Sequence, residues 1–360
     1  MEKSSGLYVH IPFCEKKCGY CSFYSVAGRT GEIDAYLSAL AVEAAKYRGE
    51  KLRTLYVGGG TPSVMSIFQW RELVNIITRN FDTSTLTEAT TEANPNSLTP
   101  ELVKFLRDNN FSRVSLGVQS LIDDELATLG RIHDSRRAVH AMELVKNSGL
   151  VLSCDLIFGI PGQTLRTWAH SLKTVMNYAN HISAYQLTLE PDTPLAKIYG
   201  DTDLNNYEFY RYAQYFLPRH NFPQYEISSF APENYECRHN MSYWTHDDVI
   251  ALGASAVSYV DGVRTANPPT LERYFYAARK NFPGELTTQE ILSPRERKIE
   301  LAILSLRTRY GISRDDLLPE VLDVLSQMPG ELFANTPGRV ALSRKGMRVG
   351  NAIWAEIIGV

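Results

Sequence analysis

The chain has 360 residues, 44% hydrophobic and 21% charged, an ordinary globular composition with room for one large domain and a smaller one. Its formal net charge of −3 offers no electrostatic footprint for nucleic acid or for an anionic membrane. The opening MEKSSGLYVH lacks the apolar stretch of a secretory signal and no membrane-length apolar run follows, so a cytoplasmic protein is expected, with at most peripheral membrane contact.

Short β-rich runs recur along the chain, each followed by a helical stretch. LYVHI (7–11) leads into a cysteine-rich loop and a helix near 33–48, and TLYVGGG (54–60) precedes a helix near 64–79. ATTEANP (89–95) is followed by LTPELVKFLRDNN, where Thr99 can cap a helix and Pro100 suits its first turn. RVSLGVQS (113–120) precedes a short helix; a longer one follows and stops at Gly149, a suitable left-handed C-cap. LVLSCDLIFGIPG (150–162) and ISAYQLTLEP (182–191) complete the series.

Six such repeats predict an α/β fold with a parallel sheet and helical crossovers. Cys14, Gly59, Glu92, Gln119, Asp155 and Thr188 all fall at or just beyond the C-terminal ends of successive strands. A barrel brings those ends to one mouth, whereas a doubly wound sheet concentrates a site at one switch point. The expected architecture is therefore a partial, TIM-like (β/α)6 barrel, open on one side.

Beyond Pro191 the pattern changes. A Tyr-rich helical stretch (203–217) is expected, then QYEISSF, then two extended runs around the hairpin signal Asp261-Gly262. SPRE (293–296) offers a capping box, and a small strand and terminal helix close the chain. The expected division is 1–232 for the barrel, 233–285 for a connecting region, and 286–360 for a smaller, mainly helical domain.

The chemistry is concentrated in HIPFCEKKCGYCSFYS, which puts Cys14, Cys18 and Cys21 on one loop. In a reducing compartment such a cluster reads as metal-binding or catalytic rather than as a disulfide framework. No second pair of cysteines is present, as a closed zinc site would need. Three thiolates suit a [4Fe–4S] cluster whose fourth iron keeps an exchangeable position; zinc with His10 as fourth ligand is the alternative. Cys154 reads as strand packing, and Cys237 as a small buried residue or, alternatively, a further ligand close to His239.

C-x-x-x-C-x-x-C, with the aromatic Tyr20 before its last cysteine, resembles the signature of the radical S-adenosylmethionine (SAM) superfamily. YVHIPFC, GGGTPS, EANP, SLGVQS, LGRIH and DLIFGIPGQT follow in the order seen in its coproporphyrinogen III oxidase-like branch, so the resemblance covers most of the chain, including LRTRYGI near its end. It implies that Cys14, Cys18 and Cys21 hold the cluster and that SAM chelates the open iron. It also implies that Tyr8 and Tyr20 lie near the cofactor, with Gly59, Gly60 and Thr61 allowing close backbone approach. Glu92, Gln119, Arg131, Asp155 and Thr188 would complete a polar cradle, Arg131 being suited to a carboxylate.

Two departures separate this chain from the oxygen-independent oxidases of the branch. Phe23 stands where they have a further cysteine, and only six residues precede Leu7. Both point to the sister group of heme chaperones, which pass heme to acceptor hemoproteins. HNMSYW, His239 to Trp244, matches that group's H-N-x-x-Y-W motif and implies His239 as a heme ligand. Relatives often carry a histidine where Val257 and Ser258 stand here. The resemblance thus implies a cluster, SAM and heme as cofactors, acceptor hemoproteins as partners, and is compatible with a homodimer. The alternative function is radical decarboxylation of coproporphyrinogen III, and a zinc-stabilised binding protein is a third.

Overall fold

The computed structural model describes residues 4–200 and 206–359. Seven strands form its parallel sheet: β1 (Ser5–Ile11), β2 (Glu50–Gly59), β3 (Glu88–Ala93), β4 (Arg113–Gln119), β5 (Val151–Phe158), β6 (His181–Gln186) and β7 (Val249–Leu252). Their order is β6-β5-β4-β3-β2-β1-β7, so strands consecutive in the chain are neighbours from β1 to β6 and β7 joins beside β1. This one-way progression is that of a barrel, without the reversal of a doubly wound sheet. No described pairing joins β6 to β7, so the barrel is partial.

Local sequence explains the crossovers. Helix α1 (Ile33–Ala44) follows the cysteine loop, and α2 (Ile67–Asn80) begins in a capping box made by Ser66 and Gln69. Helix α3 (Pro100–Asp108) has Thr99 as its cap and proline in its first turn. After α4 (Asp123–Thr128), α5 (Ser135–Ser148) is capped by Asp134 and ends at Gly149 with φ 85°, a conformation glycine adopts without penalty. Thr164 and Thr167 form the capping box of α6 (Leu165–Val175).

Strand alternation divides the molecule into a dry outer layer and a polar interior. Leu7, Val9 and Ile11 of β1, Val114, Leu116 and Val118 of β4, and Leu152, Cys154 and Leu156 of β5 are fully buried in the main core with α1, α2, α3, α5 and α6. The intervening residues, including Tyr8, Tyr56, Glu92, Ser115, Asp155 and Ser183, line the inside of the barrel.

The seventh strand was not among the six β–α repeats. The stretch read as one run before Asp261-Gly262 is two strands, because Gly253 (φ 108°) and Ser255 (φ 64°) turn the backbone between them. Val257–Val260 and Val263–Ala266 then form a two-residue hairpin with both Asp261 and Gly262 at positive φ, the geometry that Asp-Gly favours. Thr288–Ile291 adds one more strand to that hairpin, beyond position 286.

The Tyr-rich helix runs Tyr207–Phe216; residues 203–205 of the expected stretch lie outside those described. A separate core of Ala302, Leu306, Ile312, Val321, Leu325, Ile353 and Ile357 packs the C-terminal helices. The first of these, Pro294–Ser305, starts in the capping box of Ser293 and Glu296. None of the helices among the described residues is long and apolar enough to cross a membrane.

Candidate active site: a cysteine loop over a polar barrel

The cysteine loop leaves β1 through Pro12 and is pinned at both ends. Phe13 and Cys14 pair with Val26 and Ala27, and Phe13 is fully buried against Tyr36 with ring centroids 5.4 Å apart. In its middle, Gly19 N donates to the Leu129 carbonyl (3.0 Å), and its own carbonyl accepts from Leu195 N (2.8 Å). Burial raises the thiol pKa of Cys14 and Cys21. Thr61 Oγ1 donates to Cys14 Sγ (3.4 Å) and Arg131 Nη1 to Cys18 Sγ (3.2 Å), so a hydroxyl and a cation face sulfur as a thiolate cluster requires.

Arg131 is held from behind. Its Nη2 donates to the Gly117 carbonyl (2.9 Å) and lies 3.5 Å from His133 Nδ1. The other ring nitrogen of His133 donates to the Val118 carbonyl (3.2 Å), and burial with the adjacent guanidinium lowers its pKa to about 4, so the imidazole accepts rather than repels. Arg131 Nε is buried without a partner, which fits a site completed by a bound group.

The glycine-rich end of β2 lies against the base of the cysteine loop. Gly60 N donates to the Ile11 carbonyl (2.9 Å) and Thr61 N to that of Phe13 (2.8 Å). Gly59 has φ 110°, and a Cβ there would lie 2.4 Å from the His10 ring, while a Cβ at Gly60 would lie 2.8 Å from the Phe13 carbonyl oxygen. These glycines therefore permit close backbone contacts that any side chain would break. Glu92 fastens the turn from the next strand, accepting from Gly59 N (2.9 Å) and the Tyr56 hydroxyl (3.0 Å).

One cavity of about 530 Å³ is lined by Cys14, Cys18 and Cys21, by Tyr8, Tyr20, Gly59, Gly60 and Thr61, and by Glu92, Gln119, Arg131, Asp155 and Thr188. Every strand-end position singled out from the sequence reaches it. Burial pushes the Asp155 carboxyl up to about 7 despite its hydrogen bond from Ser115 Oγ (2.9 Å), and burial raises that of Glu92. Gln119 sits at φ 64°, where the β4–β5 register breaks; such a backbone is uncommon for glutamine and turns its side chain inward. Tyr8 donates its hydroxyl to His10 Nδ1 (3.0 Å), because His10 Nε2 must donate to the Tyr24 carbonyl (2.9 Å). In this tautomer the His10 lone pair accepts from Tyr8, so a zinc ion would have to displace that hydrogen bond. Among the described residues no three of His, Cys, Asp and Glu cluster tightly enough for a single metal ion; a cubane, with iron at separate corners, takes thiols spaced further apart.

His239 is placed differently. Its helix, Arg238–Trp244, closes the barrel at the end away from the cysteines, with its first amides accepted by Glu88: Arg238 N at 3.1 Å and His239 N at 3.0 Å. Glu88 in turn lies 3.3 Å from Arg113, a buried ion pair. The His239 ring is fully buried, with Nδ1 2.9 Å from Thr54 Oγ1, Nε2 3.1 Å from the Tyr243 hydroxyl, and its face stacked on Tyr56. Burial lowers its pKa to about 3, so it is neutral. It does not line the cavity; Cys237 and Asn240 of the same segment do. Adjacent helix residues point about 100° apart, so that periodicity was the available signal for Asn240.

At the opposite end, Phe23 is 71% exposed at the cavity mouth. Val257 is exposed on the hairpin, while Ser258 is buried and bonded to the backbone of Ala251.

Comparison with known proteins agrees with this architecture. A family model, the Radical SAM superfamily, matches residues 8–175. The chain is 34% identical to the heme chaperone HemW of Bacillus subtilis (strain 168) over 98% of each chain. It is 31% identical to that of Lactococcus lactis subsp. lactis (strain IL1403), covering 99% of this chain and 98% of the relative. The chain belongs to the HemW family of radical SAM proteins.

HemW kinship and the barrel topology are consistent with one further likeness. The solved coproporphyrinogen III oxidase HemN of Escherichia coli superposes with a TM-score of 0.86, covering 99% of this chain and 90% of that one, at 22% sequence identity. That match speaks to the fold the HemW family shares with HemN.

Proposed function

We propose that this protein is a heme chaperone that holds a [4Fe–4S] cluster, binds SAM and heme, and delivers heme to acceptor hemoproteins. The observation that carries the reading is the convergence of the cysteine loop, the glycine-rich strand end and four polar strand-end residues on one cavity, in a chain related to heme chaperones along its whole length.

Cys14, Cys18 and Cys21 would ligate the cluster, which when bound supplies one iron open to the amino and carboxylate groups of SAM. Arg131 directs a guanidinium toward the sulfur side and balances negative charge there. Gly59 and Gly60 let the strand end close against His10 and the backbone of the cysteine loop at the cavity wall, and Tyr8 and Tyr20 offer flat walls. Glu92, Gln119 and Asp155 supply acceptors and donors for the cofactor's amino group and ribose, with Thr188 at the rim. His239 would be the residue to hold heme iron; its ring here is fully buried outside the cavity, with both nitrogens hydrogen-bonded.

Oxidation of coproporphyrinogen III is the competing activity on this scaffold. The exposed Phe23, where the oxidases carry a thiol, weighs against it.

The test is anaerobic reconstitution followed by incubation with heme and, separately, with coproporphyrinogen III. A stable Soret band without decarboxylated product is expected. Turnover of coproporphyrinogen III without a heme complex would overturn the assignment.

A further inference from the structure

The segment that closes the barrel brings two residues of its own to the cavity. Cys237 and Asn240, about one turn apart, both line it, and the Cys237 thiol donates to Glu88 (3.5 Å). Glu88 lies 3.3 Å from Arg113, so this turn meets the cavity at its floor, below Glu92 and Asp155. Thr90 of β3 is the register partner of Arg113 on β4, and both line the same cavity.

The polar neighbours of this floor are matched with one another. Ser115 Oγ donates to Asp155 (2.9 Å), while the His181 ring lies 2.7 Å from Ser153 Oγ through Nδ1 and 2.8 Å from the Tyr225 hydroxyl through Nε2. Arg113 and Thr90 are the exceptions. Arg113 Nη2 donates to the carbonyls of Tyr235 (2.6 Å) and Glu236 (3.2 Å). Its Nε and Nη1, and Thr90 Oγ1, are buried with no hydrogen-bond partner among the described residues. Glu88 balances the guanidinium charge from beneath, and its own oxygens accept from Arg238 N and His239 N. Buried polar atoms are ordinarily paired, so orphans on two neighbouring strands mark a place that a further group completes.

We propose that Arg113, Thr90 and Asn240 form a subsite for an aliphatic carboxylate at the cavity floor, separate from the SAM cradle above it. A guanidinium, a hydroxyl and an amide all supply hydrogen-bond donors, and a carboxylate supplies only acceptors. Bonds in which both sides are charged or one is ionised are the stronger ones, which favours the anion over a neutral carbonyl. The carboxyls above do little to repel it. Burial pushes Asp155 up to about 7 and raises Glu92, which draws both toward their neutral forms. Ser115, Ser153 and Ser183, on β4, β5 and β6, line the cavity with small side chains that leave room for a slim aliphatic arm. The inference goes beyond the heme-chaperone reading and does not depend on it.

The experiment is anaerobic calorimetry of the reconstituted full-length protein with propionate, and in parallel with its neutral isostere propionamide. Saturable propionate binding is expected, at least about tenfold tighter than that of propionamide. Thr90→Val removes a hydroxyl donor without changing shape and should weaken propionate binding roughly tenfold, and Thr90→Ser should restore it. Asn240→Asp, of nearly the same shape but of like charge, should abolish it. SAM affinity, measured on the same proteins, should hold in the Thr90 variants. Absence of saturable propionate binding by the parent, or equal affinity for propionamide, overturns the carboxylate site. Parent-like propionate binding in Thr90→Val removes that residue from it, and should Asn240→Asp fail to fold, the Thr90 pair alone decides. Loss of SAM and propionate binding together in Thr90→Val would overturn a subsite distinct from the cradle. Failure of the protein to bind heme would bear on the chaperone reading and leave these outcomes as they stand.

Discussion

Arg131 reaches from the segment after β4 to place its Nη1 3.2 Å from Cys18 Sγ, while Gly117 holds its Nη2 at 2.9 Å. The guanidinium is thereby fixed between a cluster thiol and the strand end, with Nε left for a further partner. Arg131→Ala should lose a charge-assisted contact, on the order of 1.5–3 kcal/mol. SAM affinity should fall roughly ten- to a hundredfold. Anaerobic calorimetry checks this, and unaltered affinity would take Arg131 out of the site.

Only the three loop cysteines should matter for the iron–sulfur centre. Cys154 is fully buried among core side chains, and Cys237 sits beneath the cavity with its thiol 3.5 Å from Glu88. Alanine at Cys14, Cys18 or Cys21 should abolish cluster assembly, whereas Cys154→Ala and Cys237→Ala should retain it. Iron and acid-labile sulfide measured after reconstitution decide the matter, full incorporation without Cys18 being the contrary result.

Gly59 is a position where backbone and space both exclude a side chain. Gly59→Ala would place a methyl on the His10 ring at an unfavourable positive φ, costing about 1–3 kcal/mol. Because Gly59 N also donates to Glu92, SAM binding should weaken together with thermal stability. A variant with the parent's melting temperature and SAM affinity would show that the turn relaxes freely.

The buried Asp155 carboxyl titrates at about 7 in the folded chain, well above its ordinary value near 4. The folded state therefore binds more protons than the unfolded state between those values. Its contribution to stability is greatest below about pH 4 and declines as pH rises to about 7. Asp155→Asn removes that penalty, so the apo variant should gain about 1–3 kcal/mol relative to the parent at pH 8 and much less at pH 5. Buried histidines such as His133 and His239, with lowered pKa values, act in the opposite sense in both proteins, so the difference between variant and parent isolates Asp155. Chemical denaturation at the two pH values tests it; a gain larger at pH 5 would contradict the assignment.

Much of the site was legible in the chain because the relevant physics is local. A strand carries alternate residues to opposite faces, so Glu92 and Gln119 at their strand ends and Asp155 in the middle of its strand face the same way once the strands are parallel. The caps at Thr99, Gly149 and Ser293 use bonds within one or two turns of the chain, and their residue types suffice to locate helix ends.

What tertiary structure alone decided lies where partners are far apart in sequence. Val249–Leu252 is a short apolar run with no helix after it, and only its pairing with β1 makes it a seventh parallel strand. HNMSYW carries no local sign of which way its histidine faces. Its direction depends on Glu88, which accepts the helix's first amides, and on Thr54, 185 residues before His239, which takes up its ring nitrogen. A helix's own period sets the angle between His239 and Asn240, but the rotation of that helix against the barrel comes from contacts that exist only after the sheet has assembled.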